Sequence, residues 1–487
     1  MNISPVKIVV YIFIVLLLLL GLTYLSKTYT TVDGKAKEGF YINNIGLKYP
    51  TNATFWESKI DDKKDTKTID SIVDNIKKSI IVEAKTDFTP VEIIPDFTKI
   101  DTSKIQRIQY PENKDAFISL LKERLQSPLC RIIHYGDSQI EGDRISAYVR
   151  NRLQGQYGGN GPGFIPILQV YNQNSAEVIP SDNWLRFATF DPKNKRIEHN
   201  RYGVYTTFSR FTPVYDSIRM DSLPLTTATI VIKPSTRSYN KLQNFTNIGL
   251  HYGNVISPTT IKVYHNGRLI ASDYLKQNTD YQNFKIQLDN KPESLKIELT
   301  SKISPDFYGL TLDSNQGIIL DNVAMRGSSG TVFAGLEPNN FKKMMNQLDP
   351  KILIFQYGGN TVPYIKDSVA VENYARYIKN HIQWVRNKTD NASVIFIGPS
   401  DMTTSENGNL TTYKLLPYLN EVLQNTCLEN NIAYWSMFDA MGGENAMKHW
   451  VEQGLASSDY THFSPSGTRI IAEMLYLALY LDLNKKD

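Results

Sequence analysis

From residue 352 to the end, the chain alternates short, wholly apolar runs with longer amphipathic stretches. Residues 352–355 (ILIF), 394–397 (VIFI) and 432–435 (IAYW) read as strands, and 371–385, 416–428 and 468–481 as helices. A strand with no polar face must be covered on both sides, and the recurring helices supply that cover. The pattern therefore predicts an α/β domain built on a mostly parallel sheet. The same signature occurs once upstream, where a helix with Phe117, Leu120, Leu121 and Leu125 on one face precedes a strand at 131–135. A turn at 136–139 follows, then a helix whose core face is Ile145, Tyr148, Val149 and Leu153.

Between these two pieces the period changes. Residues 229–233, 261–264, 284–288 and 295–299 alternate apolar and polar positions, and Asn266-Gly267 sits between two such runs as a hairpin turn. No long amphipathic helix intervenes, which predicts an inserted β-sandwich or jelly roll. The expected organisation is a signal anchor at 1–27, a tether at 28–100, the first part of the α/β domain at 101–164, the β-rich insert at 165–318 and the second part at 319–487. Residues 8–25 carry no charge, long enough at about 1.5 Å per residue to cross the hydrocarbon of a bilayer. Thr23-Tyr-Leu-Ser-Lys27 is a poor cleavage site, so an uncleaved anchor is expected, with the remainder outside the cytoplasmic membrane, periplasmic or extracellular. The tether reading rests on polar stretches such as DDKKDTKTID, which lack an apolar period.

The net charge of +4 over 487 residues, with no block of like charge, argues against a nucleic-acid partner. Cys130 and Cys427 both lie in apolar settings and read as buried free thiols. No metal-ligand spacing occurs, so neither metal nor cofactor is expected.

Two short motifs, far apart in the chain, carry chemistry: Gly136-Asp137-Ser138 at the end of the first strand, and Asp459-Tyr-Thr-His462 just before the last helix. A serine hydroxyl is a weak nucleophile unless a base lies within hydrogen-bond reach and a third group orients that base. Ser138, His462 and Asp459 are residues of those three kinds, and open α/β sheets place their sites at the carboxyl ends of strands. With Asn322–Thr331 (NVAMRGSSGT) and Gly358-Gly359-Asn360 between them, the motifs form four blocks in fixed order, and the chain resembles the SGNH (GDSL-type) hydrolases. The resemblance implies a three-layer, flavodoxin-like parallel sheet, with Ser138 as nucleophile, His462 as base and Asp459 as its orienting carboxylate. It also implies an oxyanion hole from the Ser138 and Gly330 amides and the Asn360 side chain; Gly327 is the rival to Gly330.

Other roles compete for several of these residues. Ser138 could cap a helix, His462 could be a satisfied loop histidine, and Asn360 could stabilise a turn. Asp137 reads as a residue that holds its turn. His134 lies in the strand before the nucleophile, where alternation makes it a packing residue rather than a base. Glu141 and Asp143 read as charges suited to a helix N-terminus. Trp184 and the tyrosines could stack on sugars, although packing is the commoner role.

The phrase Gly136–Arg144 and the downstream GGNGPGF resemble an exported, membrane-anchored SGNH branch acting on O-acetyl groups of cell-wall or extracellular polysaccharides. An acyl-ester hydrolase acting on an acylated glycan is the expected function. The alternatives are an O-acetyltransferase supplied by a membrane-bound acyl exporter, and a tethered glycan-binding module without activity.

Overall fold

The structure is a computed structural model, and it describes residues 5–30, 36–42, 45–51, 66–80, 95–191, 197, 199–215, 222–406 and 408–484. Two compact units divide the chain: residues 1–68 with 403–411, and residues 69–402 with 412–487.

In the first unit, Pro5–Leu25 is a helix. Among the described residues it is the one helix long and apolar enough to cross a membrane, with a mean hydropathy of 2.9 over Val6–Leu25. A three-stranded antiparallel sheet follows, Lys27–Thr30, Ala36–Ile42 and Ile45–Lys48. Ser26 Oγ donates to Tyr49 O at 2.7 Å, and Tyr49 OH donates to Leu19 O at 3.0 Å, clipping the helix end to the sheet. These strands lie in the stretch expected to be a tether; local antiparallel pairing needs no long apolar period.

The second unit is built on five parallel strands in the order Gly317–Ala324, Leu129–Gly136, Pro350–Gln356, Ser393–Ile397, Ala433–Trp435. Side chains alternate between two cores, as a pleated strand requires. Ile132, Ile354 and Trp435 face one core with the Lys114–Leu125, Arg144–Tyr157 and Pro465–Asn484 helices; Ile133, Tyr135, Leu353 and Phe355 face the other with Pro338–Leu348, Ser368–Arg386 and Leu416–Glu429. Ile69, Val73 and Ile76 of the Thr66–Lys77 helix are buried in the first core. That segment, too, was expected in the tether, and its 3.6-residue apolar spacing is short enough to be hidden among charges.

Two antiparallel sheets form between the first and second strands of the α/β sequence. One runs Gln282–Gln287, Asn247–Gly253, Asp306–Asp313, Thr207–Arg210, Leu185–Ala188, with Gly163–Ile165 added on Asp306–Asp313; the other runs Arg268–Tyr274, Thr260–His265, Leu295–Ser301, Thr226–Pro234, Ala176–Pro180. Leu250, Leu310 and Leu312 from one and Ile230, Val263 and Ile297 from the other share a single apolar core. At the Thr260–His265 hairpin, Asn266 and Gly267 have φ of 50° and 83°, the left-handed pair that a tight two-residue turn needs.

The glycine run 158–163 carries the chain from one layer into the other. A Cβ at Gly159, whose φ is +103°, would stand 2.5 Å from Ile318 N, and one at Gly163 would stand 2.6 Å from Leu320 O. Only glycine lets the backbone cross the Gly317–Ala324 strand this closely. Beside the crossing, buried Arg131 donates to Asp321 at 2.7 and 2.8 Å and to Asp313 at 2.5 Å, joining the parallel sheet to the antiparallel one.

Candidate active site

The nucleophile turn is built from local capping. Asp137 follows the end of the Leu129–Gly136 strand, and its Oδ1 accepts from Gln139 N at 2.9 Å, which starts the Ser138–Asp143 3₁₀ turn. Gly136 lets the turn close tightly, since a Cβ would stand 2.8 Å from Ile140 Cδ1 and 3.3 Å from Gln356 O. Asn322 Nδ2 donates to Ile140 O at 3.1 Å and Arg144 Nη2 to Ser138 O at 2.8 Å, fixing the turn from two sides. Ser138 thus sits at the carboxyl end of a central strand.

The second loop brings the imidazole to it. Asp459 Oδ1 accepts from the Thr461 and His462 amides, each at 3.0 Å, so the carboxylate organises its own loop. Asp459 Oδ2 lies 2.8 Å from His462 Nδ1, and His462 Nε2 lies 2.8 Å from Ser138 Oγ. Gln139 Nε2 donates to Thr461 O at 2.7 Å and ties the two loops together. A carboxylate can only accept, so Nδ1 carries the proton and the Nε2 lone pair is left to the serine hydroxyl. Burial works against the Asp459 charge, yet the hydrogen bonds from His462 and Thr461 outweigh it and hold the carboxyl below its usual range.

Asn360 joins this group. Asn360 Nδ2 donates to Asp137 Oδ2 at 3.2 Å and to Ser328 O at 3.1 Å, and Asn360 lines the same cleft as Ser138. Gly330 is buried, its N–H donates to Ser328 Oγ at 3.1 Å, and a Cβ there would stand 2.5 Å from Ile378 Cδ1 and 2.7 Å from the Tyr357 ring. Its φ of +81° and that packing explain the glycine without any substrate. Gly327 is exposed, has open space where a Cβ would be, and its N–H has no acceptor among the described residues. Strand register places it well: Ala324 lies opposite Gly136, and Met325 N donates to Gly136 O at 2.7 Å, so the chain leaves the sheet beside Ser138. Of the two glycines, Gly330 has its amide engaged by Ser328 Oγ, and Gly327 has an amide without a partner among the described residues.

Several neighbours have other work. His134 is fully buried; Ser146 Oγ donates to Asn322 Oδ1, so it accepts from His134 Nδ1 at 3.0 Å. Burial pushes the His134 ring down to about 3, which keeps it neutral and out of proton transfer. Asp143 stands at the N-cap of the Arg144–Tyr157 helix, as expected, without a side-chain capping bond; Arg150 holds its carboxylate by two bonds of 2.6 and 3.0 Å, while Glu141 pairs with Arg326 at 3.4 Å. Trp184 is buried against Phe211 and Phe307, with Nε1 donating to Thr229 O at 3.2 Å, so it is not a sugar platform. Cys130 and Cys427 are free and buried.

The open cleft over Ser138, about 130 Å³, is also lined by Asp137, Gly359, Asn360, Tyr364 and Met402. Two residues that line the cleft were not legible as such in the sequence: Gln139, which lies next to the motif serine, and Tyr364, four residues beyond Asn360. Nearness to the motif blocks was the only signal for either.

A serine, histidine and aspartate in relay on the carboxyl edge of a parallel sheet are the fold and arrangement that the SGNH resemblance implies. One solved structure, of a peptidoglycan O-acetylesterase, is similar over 76% of this chain and 97% of its own, with 19% identity and a TM-score of 0.59. Family two carbohydrate esterases from Cellvibrio japonicus (11% identity, 63% of this chain, 99% of that chain, TM-score 0.25) and Clostridium thermocellum (12%, 60%, 97%, 0.23) also match, too distantly to bear on the fold. No protein-family model matches the sequence, and no curated protein matches it.

Proposed function

We propose that this chain is a serine esterase that removes O-acetyl groups from a cell-wall or extracellular glycan, anchored to the membrane by its N-terminal helix. The observation that carries the reading is the unbroken relay of two 2.8 Å contacts from Ser138 through His462 to Asp459. The fold it shares with a peptidoglycan O-acetylesterase supports an acetylated glycan as substrate.

Ser138 Oγ attacks the acetyl carbonyl and passes its proton to His462 Nε2. The tetrahedral oxyanion takes hydrogen bonds from the Ser138 and Gly327 amides and from Asn360, which exchanges its bond to Ser328 O for one to substrate. As the intermediate collapses, the ester C–O bond breaks and His462 returns the proton to the departing sugar hydroxyl. Water, deprotonated by the same imidazole, then cleaves the acetyl-serine to acetate. Donors aimed at the developing charge lower such a barrier by about 3 kcal/mol each.

The test uses the full chain in detergent. Acetate release from O-acetylated peptidoglycan is compared with that of Ser138→Ala, with and without added unacetylated glycan. Release by wild type alone is expected; equal release by both proteins would remove the enzyme reading. Transfer of acetyl to the added glycan in place of acetate would replace the hydrolase with a transferase.

A further inference from the structure

The geometry points to Tyr364 as the platform on which a pyranose ring of the glycan stacks while its acetyl group enters the cleft, an inference that rests on the glycan reading above. At 79% exposure Tyr364 is the most exposed large hydrophobic side chain among the described residues, more so than the residues of the apolar N-terminal helix. A lone exposed tyrosine elsewhere on a surface needs no explanation. This one lines the cleft that holds Ser138.

Its position is set by the same segment that carries Asn360. Tyr364 N donates to Thr361 O at 2.9 Å, and Val362 N donates to Gly358 O and Gly359 O, each at 3.3 Å. Pro363 restricts the Val362–Tyr364 3₁₀ turn further. The backbone that carries the ring is thus held at a fixed place relative to that of Asn360, so binding has only the side-chain rotamer left to order. Its phenol makes no hydrogen bond and its ring no aromatic contact among the described residues, so neither packing nor polarity accounts for its being there. A pyranose presents a face of C–H groups, slightly positive, that suits the negative face of an aromatic ring. A small acetyl ester has no such face. Tyr364 would therefore discriminate a glycan from a minimal ester without touching the reacting atoms.

Wild type, Tyr364→Ala and Tyr364→Trp are compared as full chains in detergent, by acetate release, on soluble O-acetylated peptidoglycan strands and on ethyl acetate, which has no ring to stack. The expected result is that Tyr364→Ala raises KM for the glycan about five- to tenfold with little change in kcat. The ratio of kcat/KM for glycan to that for the small ester should fall by the same factor, and Tyr364→Trp should restore it. An unchanged ratio, whether because both activities persist or because both fall together, overturns the platform alone. If wild type cleaves the small ester and releases no acetate from the glycan, the glycan reading falls and the platform falls with it.

Discussion

Asn360 donates from its side-chain nitrogen to Asp137 Oδ2 at 3.2 Å, linking the third sequence block to the residue that precedes the nucleophile. Asp137 thereby uses both oxygens, one for the Gln139 amide that starts the turn and one for Asn360. Burial pushes its carboxyl up to about 6, against the pull of the Gln139 hydrogen bond.

In Asp137→Asn one of two donors must face another donor, since an amide has a single accepting oxygen. The variant should fold and should lose about 10- to 100-fold in kcat with KM little changed, through a displaced Asn360. Steady-state kinetics on 4-nitrophenyl acetate measures this, and an activity within twofold of wild type would mean that Asp137 holds only the turn.

Ser138→Ala should abolish acetyl-enzyme formation. Asp459→Asn should keep the loop and reduce kcat by about 10³- to 10⁴-fold, because an amide at Oδ2 can present a donor to Nδ1 and favour the wrong tautomer. Intact-mass spectrometry after brief exposure to an acetyl ester should find the adduct in wild type alone.

The two glycines separate by different readouts. Gly330→Ala puts a Cβ 2.5 Å from Ile378 Cδ1 and 2.7 Å from the Tyr357 ring at a φ of +81°, and should cost about 2–4 kcal/mol of stability in urea unfolding. Gly327→Ala meets no atom within 4 Å, so at a φ of +74° only about 1–2 kcal/mol of backbone strain is expected. Its loss should appear in kcat, where a shifted backbone turns the amide from the oxyanion.

His134 and His251 are buried, and desolvation pushes both down to about 3. The unfolded chain binds their protons near 6.5 and the native state does not, so their contribution to stability is full above that pH and is lost as pH falls toward 3. Each ring should contribute a slope of roughly 1 kcal/mol per pH unit in that window. Between pH 6.5 and 4.5, wild type should lose more unfolding free energy than His134→Gln, and parallel curves would show that His134 is protonated when folded.

Arg131→Met leaves Asp321 and Asp313 buried without their shared cation. A loss of about 3–5 kcal/mol is expected in urea unfolding. Activity per folded molecule at low urea should persist, because the triad takes no contact from this network.

The α/β alternation, the hairpin at Asn266-Gly267 and the residues of the Ser138–His462–Asp459 relay were legible from sequence. Each is a local signal: an apolar period, a two-residue turn, or a motif confined to one loop. The helix at Thr66–Lys77 was not, because its apolar stripe acquires meaning only against the core that receives Ile69, Val73 and Ile76. Likewise, spacing could not decide between two glycines three residues apart. The register of the Gly317–Ala324 strand on Leu129–Gly136 leaves Gly327 open and buries Gly330 on Tyr357. It took the tertiary structure to put Trp184 inside and Tyr364 outside, since the exposure of an aromatic depends on which distant segments cover it. Sequence by itself determined which chemical groups this protein has to work with; the pairing of strands far apart in the chain decided which of them share the cleft over Ser138.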